Sequence, residues 1–176
     1  MFDETRIIAE VFGAVAVVIN FIGYRQRDVN RYRLISALAL ASVSVHFFLL
    51  EALAATVACV LACVRNLIAI YYRGNSVLFI FVALNVVFFA YEWWIIDSPW
   101  IILIAYASSL IFTVGSIVFT SADQVRRWFI FAEILGLVYA IMVGSIFGTI
   151  FNISNLVSIL WVLIRDKKQA RLNQSV

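Results

Sequence analysis

The sequence predicts an all-α polytopic membrane protein. Its seven transmembrane helices form a 3+1+3 parallel-repeat arrangement, with the N-terminus outside and the C-terminus cytoplasmic. Three observations carry this prediction. The first is composition: 65% of the 176 residues are hydrophobic and only 13% are charged, with a mean hydropathy of +1.03. A soluble domain has about half its residues apolar and about a quarter charged, so a soluble enzyme, a nucleic-acid-binding module and a disordered linker are excluded. The second is the spacing of charge, which leaves apolar runs close to the roughly 20 residues that cross a hydrocarbon core of about 30 Å. The third is the placement of the basic residues, which alternate from loop to loop.

The apolar runs cover residues 7–24, 34–50, 52–72, 77–94, 100–120, 128–143 and 146–164. Residues 34–72 are twice too long for one crossing and divide at Glu51; residues 128–164 divide at Gly144-Ser145 for the same reason. Arg25, Arg27, Arg31 and Arg33 fall in the first loop, Arg73 in the third, Arg126 and Arg127 in the fifth, and Arg165, Lys167, Lys168 and Arg171 in the tail. Of the thirteen basic residues only Arg6 and Arg65 stand elsewhere, so the net charge of +3 reports topology and not a nucleic-acid stripe. The other side receives Asp3, Glu4, Glu51 and Asp97. Trp93, Trp94 and Trp100 flank the outer fourth loop, and Tyr24, Tyr32, Tyr71, Tyr72 and Trp128 mark the inner ends, as interfacial aromatics do. Asp3 and Glu4 precede the first run and no small-residue cleavage site follows it, so the first helix is expected to be retained.

Seven spans divide into a first three-helix unit (1–76), a linker helix (77–98) and a second three-helix unit with a short basic tail (99–176). An offset of 93 pairs Asn20 with Thr113, Gly23 with Ser116, Arg33 with Arg126, His46 with Tyr139 and Thr56 with Thr149. The odd linker span gives both units the same orientation and leaves a solute path between them.

The run His46-Phe47-Phe48-Leu49-Leu50, Arg65 within Cys63-Val64-Arg65-Asn66-Leu67, the run Gly144-Ser145-Ile146-Phe147-Gly148-Thr149, and Arg165 ending the last span together resemble the YgjV-type family of bacterial inner-membrane proteins. Such proteins are similar to the broader PQ-loop or SWEET-like group. That resemblance implies two triple-helix bundles, small-solute translocation and a bacterial inner-membrane location. One departure stands out: the group's proline-glutamine signature is missing and Pro99 is the only proline, so a proline-hinged motion is not implied.

Ionisable residues inside the bilayer are costly and need a partner or a cavity. Arg65 and Glu133 lie at matching depth, about 9–11 Å from the cytoplasmic ends of their helices. Three readings are open: a structural salt bridge, a gate or anion-binding arginine, or a side chain reaching back to the inner interface. Glu10 and His46 stand about 6 Å from the outer ends and can meet. A histidine beside a carboxylate suits proton relay or gating; the plainer reading is a hydrogen-bonded interfacial residue. Glu92, near the outer tryptophans, reads as an interfacial residue in contact with water. Between these layers Asn152, Asn155 and Ser158 recur every three residues and form a polar stripe on the last span. Arg65, Asn66, Asn152, Asn155 and Ser158 are thus the expected solute-binding residues, with Glu10, His46 and Glu133 as proton or gating groups.

No catalytic residue, metal site or cofactor is expected. No phosphate loop, zinc-pair or nucleophile-elbow motif occurs, the single histidine precludes a multi-histidine centre, and Lys167 and Lys168 lie too far down the tail for a retinal Schiff base. Cys59 and Cys63 read as small packing residues. The favoured function is a facilitator or proton-coupled carrier for a small polar solute such as a sugar, sugar acid, nucleoside or small carboxylate. The alternative is a non-transporting seven-helix receptor or assembly subunit. The expected partners are the lipid bilayer and the solute, with no nucleic acid; a homo-oligomer is left open.

Overall fold

The structure is a computed structural model that describes residues 4–24, 26, 28–119 and 122–174. Asp3, Arg25, Arg27 and Thr120, which enter the loop assignments above, lie outside the described residues. Among those described, the chain forms seven helices: α1 (Glu4–Tyr24), α2 (Val29–Leu49), α3 (Leu53–Tyr71), α4 (Asn75–Trp94), α5 (Ile102–Val118), α6 (Ala122–Met142) and α7 (Ile146–Gln174). Five of them, α1 to α4 and α7, are long and apolar enough to cross a membrane. Helix α5 is apolar but has 17 residues, and α6 carries Arg126, Arg127 and Glu133 in its sequence. Helix α7 runs on past the expected end at residue 164, so the start of the basic tail continues the last span as helix.

Both expected divisions are helical hairpins, and they are built alike. At the end of α2, Glu51 adopts a left-handed conformation with φ 58°, and the N–H groups of Glu51 and Ala52 donate back to the carbonyls of Phe48 and Phe47. At the end of α6, Gly144 does the same with φ 69°, and the N–H groups of Gly144 and Ser145 donate to Ile141 and Ala140. This paired closure satisfies carbonyls that a helix end otherwise leaves open. In the next turn Thr56 Oγ1 donates to the Ala52 carbonyl at 3.0 Å, and Thr149 Oγ1 to the Ser145 carbonyl at 2.7 Å.

Helix α1 packs on α2, α2 on α3, α5 on α6 and α6 on α7, while α4 lies against α3 and α5. The first three helices meet the last three through α1 with α7 and α3 with α5. The core at these seams is rich in small side chains, including Ala16, Ala39, Ala54, Ala105 and Ala140, which let helix backbones approach closely where lipid offers no hydrophobic driving force. Large apolar side chains such as Val18, Phe79, Val87, Trp161 and Ile164 face outward, as lipid requires.

Candidate functional site

Two polar layers cross the bundle. One, called outer after the expected orientation, is assembled on the N-terminus of α7, whose first N–H groups have no partners within the helix. Ser145 immediately precedes α7, and its Oγ accepts from the Gly148 N–H at 2.9 Å. The Glu10 carboxylate, from α1, accepts from the N–H of Ile146 at 3.4 Å and of Phe147 at 3.1 Å. A carboxylate here also meets the positive end of the helix dipole. His46, fully buried at 0% exposure, completes the layer from α2. Its Nδ1 lies 2.7 Å from the Ala9 carbonyl, which can only accept, so Nδ1 carries a proton. In the neutral ring Nε2 then accepts from Ser145 Oγ at 2.6 Å. Glu10 and His46 do meet, with Oε2 4.0 Å from Nδ1, but Glu10 spends its bonds on holding α1 to α7, and His46 on holding α2 to α1 and to the residue before α7.

Two glycines make that closeness possible. A Cβ on Gly13 would stand 2.5 Å from Phe147 Cβ and 3.0 Å from His46 Nδ1, and one on Gly148 would collide with Ser145 Oγ. Sequence reasoning gave Ser145 no role of its own and no weight to the run Glu10-Val11-Phe12-Gly13; the signal was a serine before an apolar run with an acid and a glycine one turn apart on another helix.

The second layer lies about 14–20 Å along α3, α5, α6 and α7 from the ends nearest the first, at 1.5 Å per residue. Arg65, 3% exposed, donates from Nη1 to Thr113 Oγ1 at 2.9 Å and from Nη2 to Asn66 Oδ1 at 3.5 Å. Asn66 donates in turn to Ser36 Oγ at 3.2 Å. On the other side Glu133, also 3% exposed, accepts from Asn155 Nδ2 at 2.9 Å, and Asn155 Oδ1 accepts from Asn20 Nδ2. Two buried polar atoms here have no partner: Arg65 Nε and Glu133 Oε2.

The reading of Arg65 and Glu133 as a salt bridge is corrected by this arrangement. Glu10 meets His46 at 4.0 Å, whereas Arg65 and Glu133 each turn to neutral partners. Equal depth set them at the same level but not on facing surfaces. The polar stripe on α7 divides its contacts. Asn155 reaches across to α1 and α6, whereas Asn152 donates to the Gly148 carbonyl of its own helix at 2.8 Å and packs its Oδ1 where a Cβ on Gly136 would stand. Ser158 is half-buried one turn beyond Asn155. Glu92 is not a water-facing interfacial residue: it is buried, and Tyr106 donates to its Oε1 at 2.5 Å across α4 and α5. Cys59 and Cys63 are free and half-buried.

Both layers fall within residues 7–170, the stretch matched by the model of the Imp-YgjV family, bacterial inner membrane proteins. The chain belongs to that family. As an Imp-YgjV protein it resides in the bacterial inner membrane, and the helices that clear the length and apolarity of a crossing place lipid around it. No curated protein and no solved structure matches it. Two recesses at the surface of this Imp-YgjV chain are an apolar one between α5 and α6, lined by Ile111, Trp128, Phe131, Ile134 and Leu135, and one beside the first hairpin that includes Thr5, Phe48 and Glu51. Neither is lined by the inner polar layer.

Proposed function

We propose that the protein is a carrier for a small polar solute, without enzymatic activity, whose path runs along the seam between α1–α3 and α5–α7. The observation that supports it is the inner polar layer. The two main helix pairs that join the first three helices to the last three are each bridged there by a polar side chain, Asn20 to Asn155 across α1 and α7 and Arg65 to Thr113 across α3 and α5. A seam of hydrogen bonds without an ion pair, with an unpartnered buried polar atom left over on each side, suits an interface that opens and closes around a hydrogen-bonding solute.

A 3+1+3 parallel repeat, with the N-terminus outside and α4 as linker, fits the same observations. An offset of 93 carries Glu51 onto Gly144, Ala52 onto Ser145 and Thr56 onto Thr149, the residues that build the two like hairpins. It carries Asn20 onto Thr113, so each seam bond has one end at a corresponding position, as donor at Asn20 and as acceptor at Thr113. It also carries His46 onto Tyr139, and while His46 holds the start of α7, Tyr139 holds the backbone of Ala55 at the start of α3. This is the plan the likeness to the PQ-loop and SWEET-like group implies. In this state the outer layer is shut, because Glu10, His46 and Ser145 clamp α1 and α2 to α7.

The rival reading, a non-transporting receptor or assembly subunit, is favoured by the helix-to-helix pairing of Asn20, Asn66 and Asn155. Uptake separates the two. Reconstituted vesicles should accumulate at least one of gluconate, lactate, glucose or uridine faster than protein-free vesicles, and Asn66→Ser should slow that uptake while the protein keeps its thermal stability. Vesicles that take up none of the four leave the rival in possession.

A further inference from the structure

Arg65 is an expensive residue. A guanidinium that is 3% exposed at mid-bundle ordinarily has a carboxylate against it, and here it has two neutral oxygens and an unpartnered Nε. Nor is it the only cation in the region. Arg33 is within electrostatic reach of Arg65 and of Arg73. The geometry explains why. Arg33 stands one turn from Ser36, the residue that Asn66 ties to α3, and Arg73 stands two turns beyond Arg65, with its Nε donating to the Ala69 carbonyl at 3.1 Å. Arg33 is half-buried and Arg73 exposed, so the three form a ramp from the end of the bundle to the buried guanidinium. The acid at this end of α2, Asp28, is exposed and occupied as the cap of that helix, accepting from the Arg31 N–H at 2.7 Å. A preference for basic loops on the cytoplasmic side accounts for Arg33 and Arg73, but not for a buried Arg65.

We propose that Arg65, Arg33 and Arg73 form an anion-binding site, entered from the end of the bundle that bears Arg33 and Arg73, and that the solute it takes is a small hydroxylated carboxylate. The arginines supply the missing negative partner's counter-charge, with Arg65 Nε as the free donor. Asn66, Ser36 and Thr113 line the same spot with an amide and two hydroxyls, groups matched to hydroxyls beside a carboxylate. The inference rests on the carrier reading for its physiological meaning. Binding at equilibrium, however, reads the arginines whether or not the solute then crosses.

The test uses the full chain in nanodiscs of phosphatidylcholine, with sodium gluconate as probe, sorbitol as the neutral polyol and sodium chloride at matched ionic strength. Gluconate should raise the melting temperature saturably, and sorbitol and chloride should not. Arg73→Gln should weaken the gluconate constant about two- to fivefold, the size of a screened charge contribution. Arg65→Lys keeps the charge but loses the planar donors, and should weaken it about tenfold or more. If Arg65→Lys does not fold, Arg33→Gln and Arg73→Gln carry the test, and their double variant should weaken binding by the product of the two. Gluconate that binds no better than sorbitol, or equally well to wild type and to the double variant, overturns the proposal. So does a protein stabilised by phosphatidylglycerol through the same arginines but indifferent to gluconate, since the occupant is then a lipid headgroup. Gluconate binding without uptake of any solute upholds the site and removes the carrier reading instead; uptake of glucose without gluconate binding does the reverse.

Discussion

Ser145 is the joint at which three helices are held together, and Ser145→Ala removes two contributions at once. The first is the cap of α7: the Gly148 N–H loses its acceptor at 2.9 Å, and loss of a serine cap costs about 1 kcal/mol. The second is the partner of His46. With Nδ1 committed to the Ala9 carbonyl and the ring fully buried, Nε2 has no water to turn to, and an orphaned buried acceptor costs about 1–3 kcal/mol. The sum is about 2–4 kcal/mol. In a chain of 176 residues each kcal/mol moves the midpoint by roughly 2–4 °C, so thermal unfolding in detergent should drop by about 5–15 °C. A double-mutant cycle with His46→Leu isolates the second term. Once the imidazole is gone, Ser145→Ala should cost only the cap, about 1 kcal/mol. If Ser145→Ala costs the same in both backgrounds to within about 0.5 kcal/mol, the bond between His46 and Ser145 contributes nothing and the outer layer is not a clamp.

Three further outcomes are expected. Gly13→Ala puts a methyl 2.5 Å from Phe147 Cβ, must push α1 from α7, and should cost about 1–3 kcal/mol of thermal stability; Gly74→Ala, where a Cβ meets nothing within 4 Å, should cost far less. Asn155→Leu removes the donor to Glu133 and leaves a buried carboxylate with no partner on either oxygen, so it should lower stability by about 3 kcal/mol or more, and Glu133→Leu in the same chain should restore most of the loss. A cysteine at Ser98 should react with an impermeant thiol reagent from outside and one at Asn173 should not; the opposite pattern reverses the orientation, and labelling of both from one side removes the parallel repeat.

The helices were legible because lipid imposes a simple rule: apolar length sets the spans and charge sets the breaks. Even the two hairpins hidden inside long apolar stretches could be located, since Glu51 and Gly144 were the positions where a crossing had to end, and both adopt the left-handed turn. The extension of α7 to Gln174 was not legible, because nothing between Ile164 and the tail breaks a helix once its apolar content is spent. Side-chain partners were harder still. Depth along a helix follows from counting residues, but azimuth depends on how neighbours pack, and Arg65 and Glu133 share a depth without sharing a face. Glu92 failed for the related reason that proximity to tryptophans in sequence says nothing of Tyr106, which reaches it from the next helix.

The same distinction between depth and azimuth bears on what the inner layer can do. Had Arg65 and Glu133 paired, each would have neutralised the other and the seam would be a closed ionic lock, costly to part. Separated and given neutral partners, they leave a donor on one side and an acceptor on the other. Bonds such as Asn20 to Asn155 and Asn66 to Ser36 join uncharged groups and are worth about 0.6 kcal/mol each in a membrane interior, so a hydroxylated solute can exchange for them at little cost. The outer layer is the opposite case: Glu10 is anchored to two backbone N–H groups of α7 and His46 to a cap that the helix itself needs. Opening there requires those bonds to break together, whereas opening at the inner layer breaks them singly. On the proposed carrier reading, the expected order of events therefore has the inner seam exchange solute first, while the clamp on α7 stays shut.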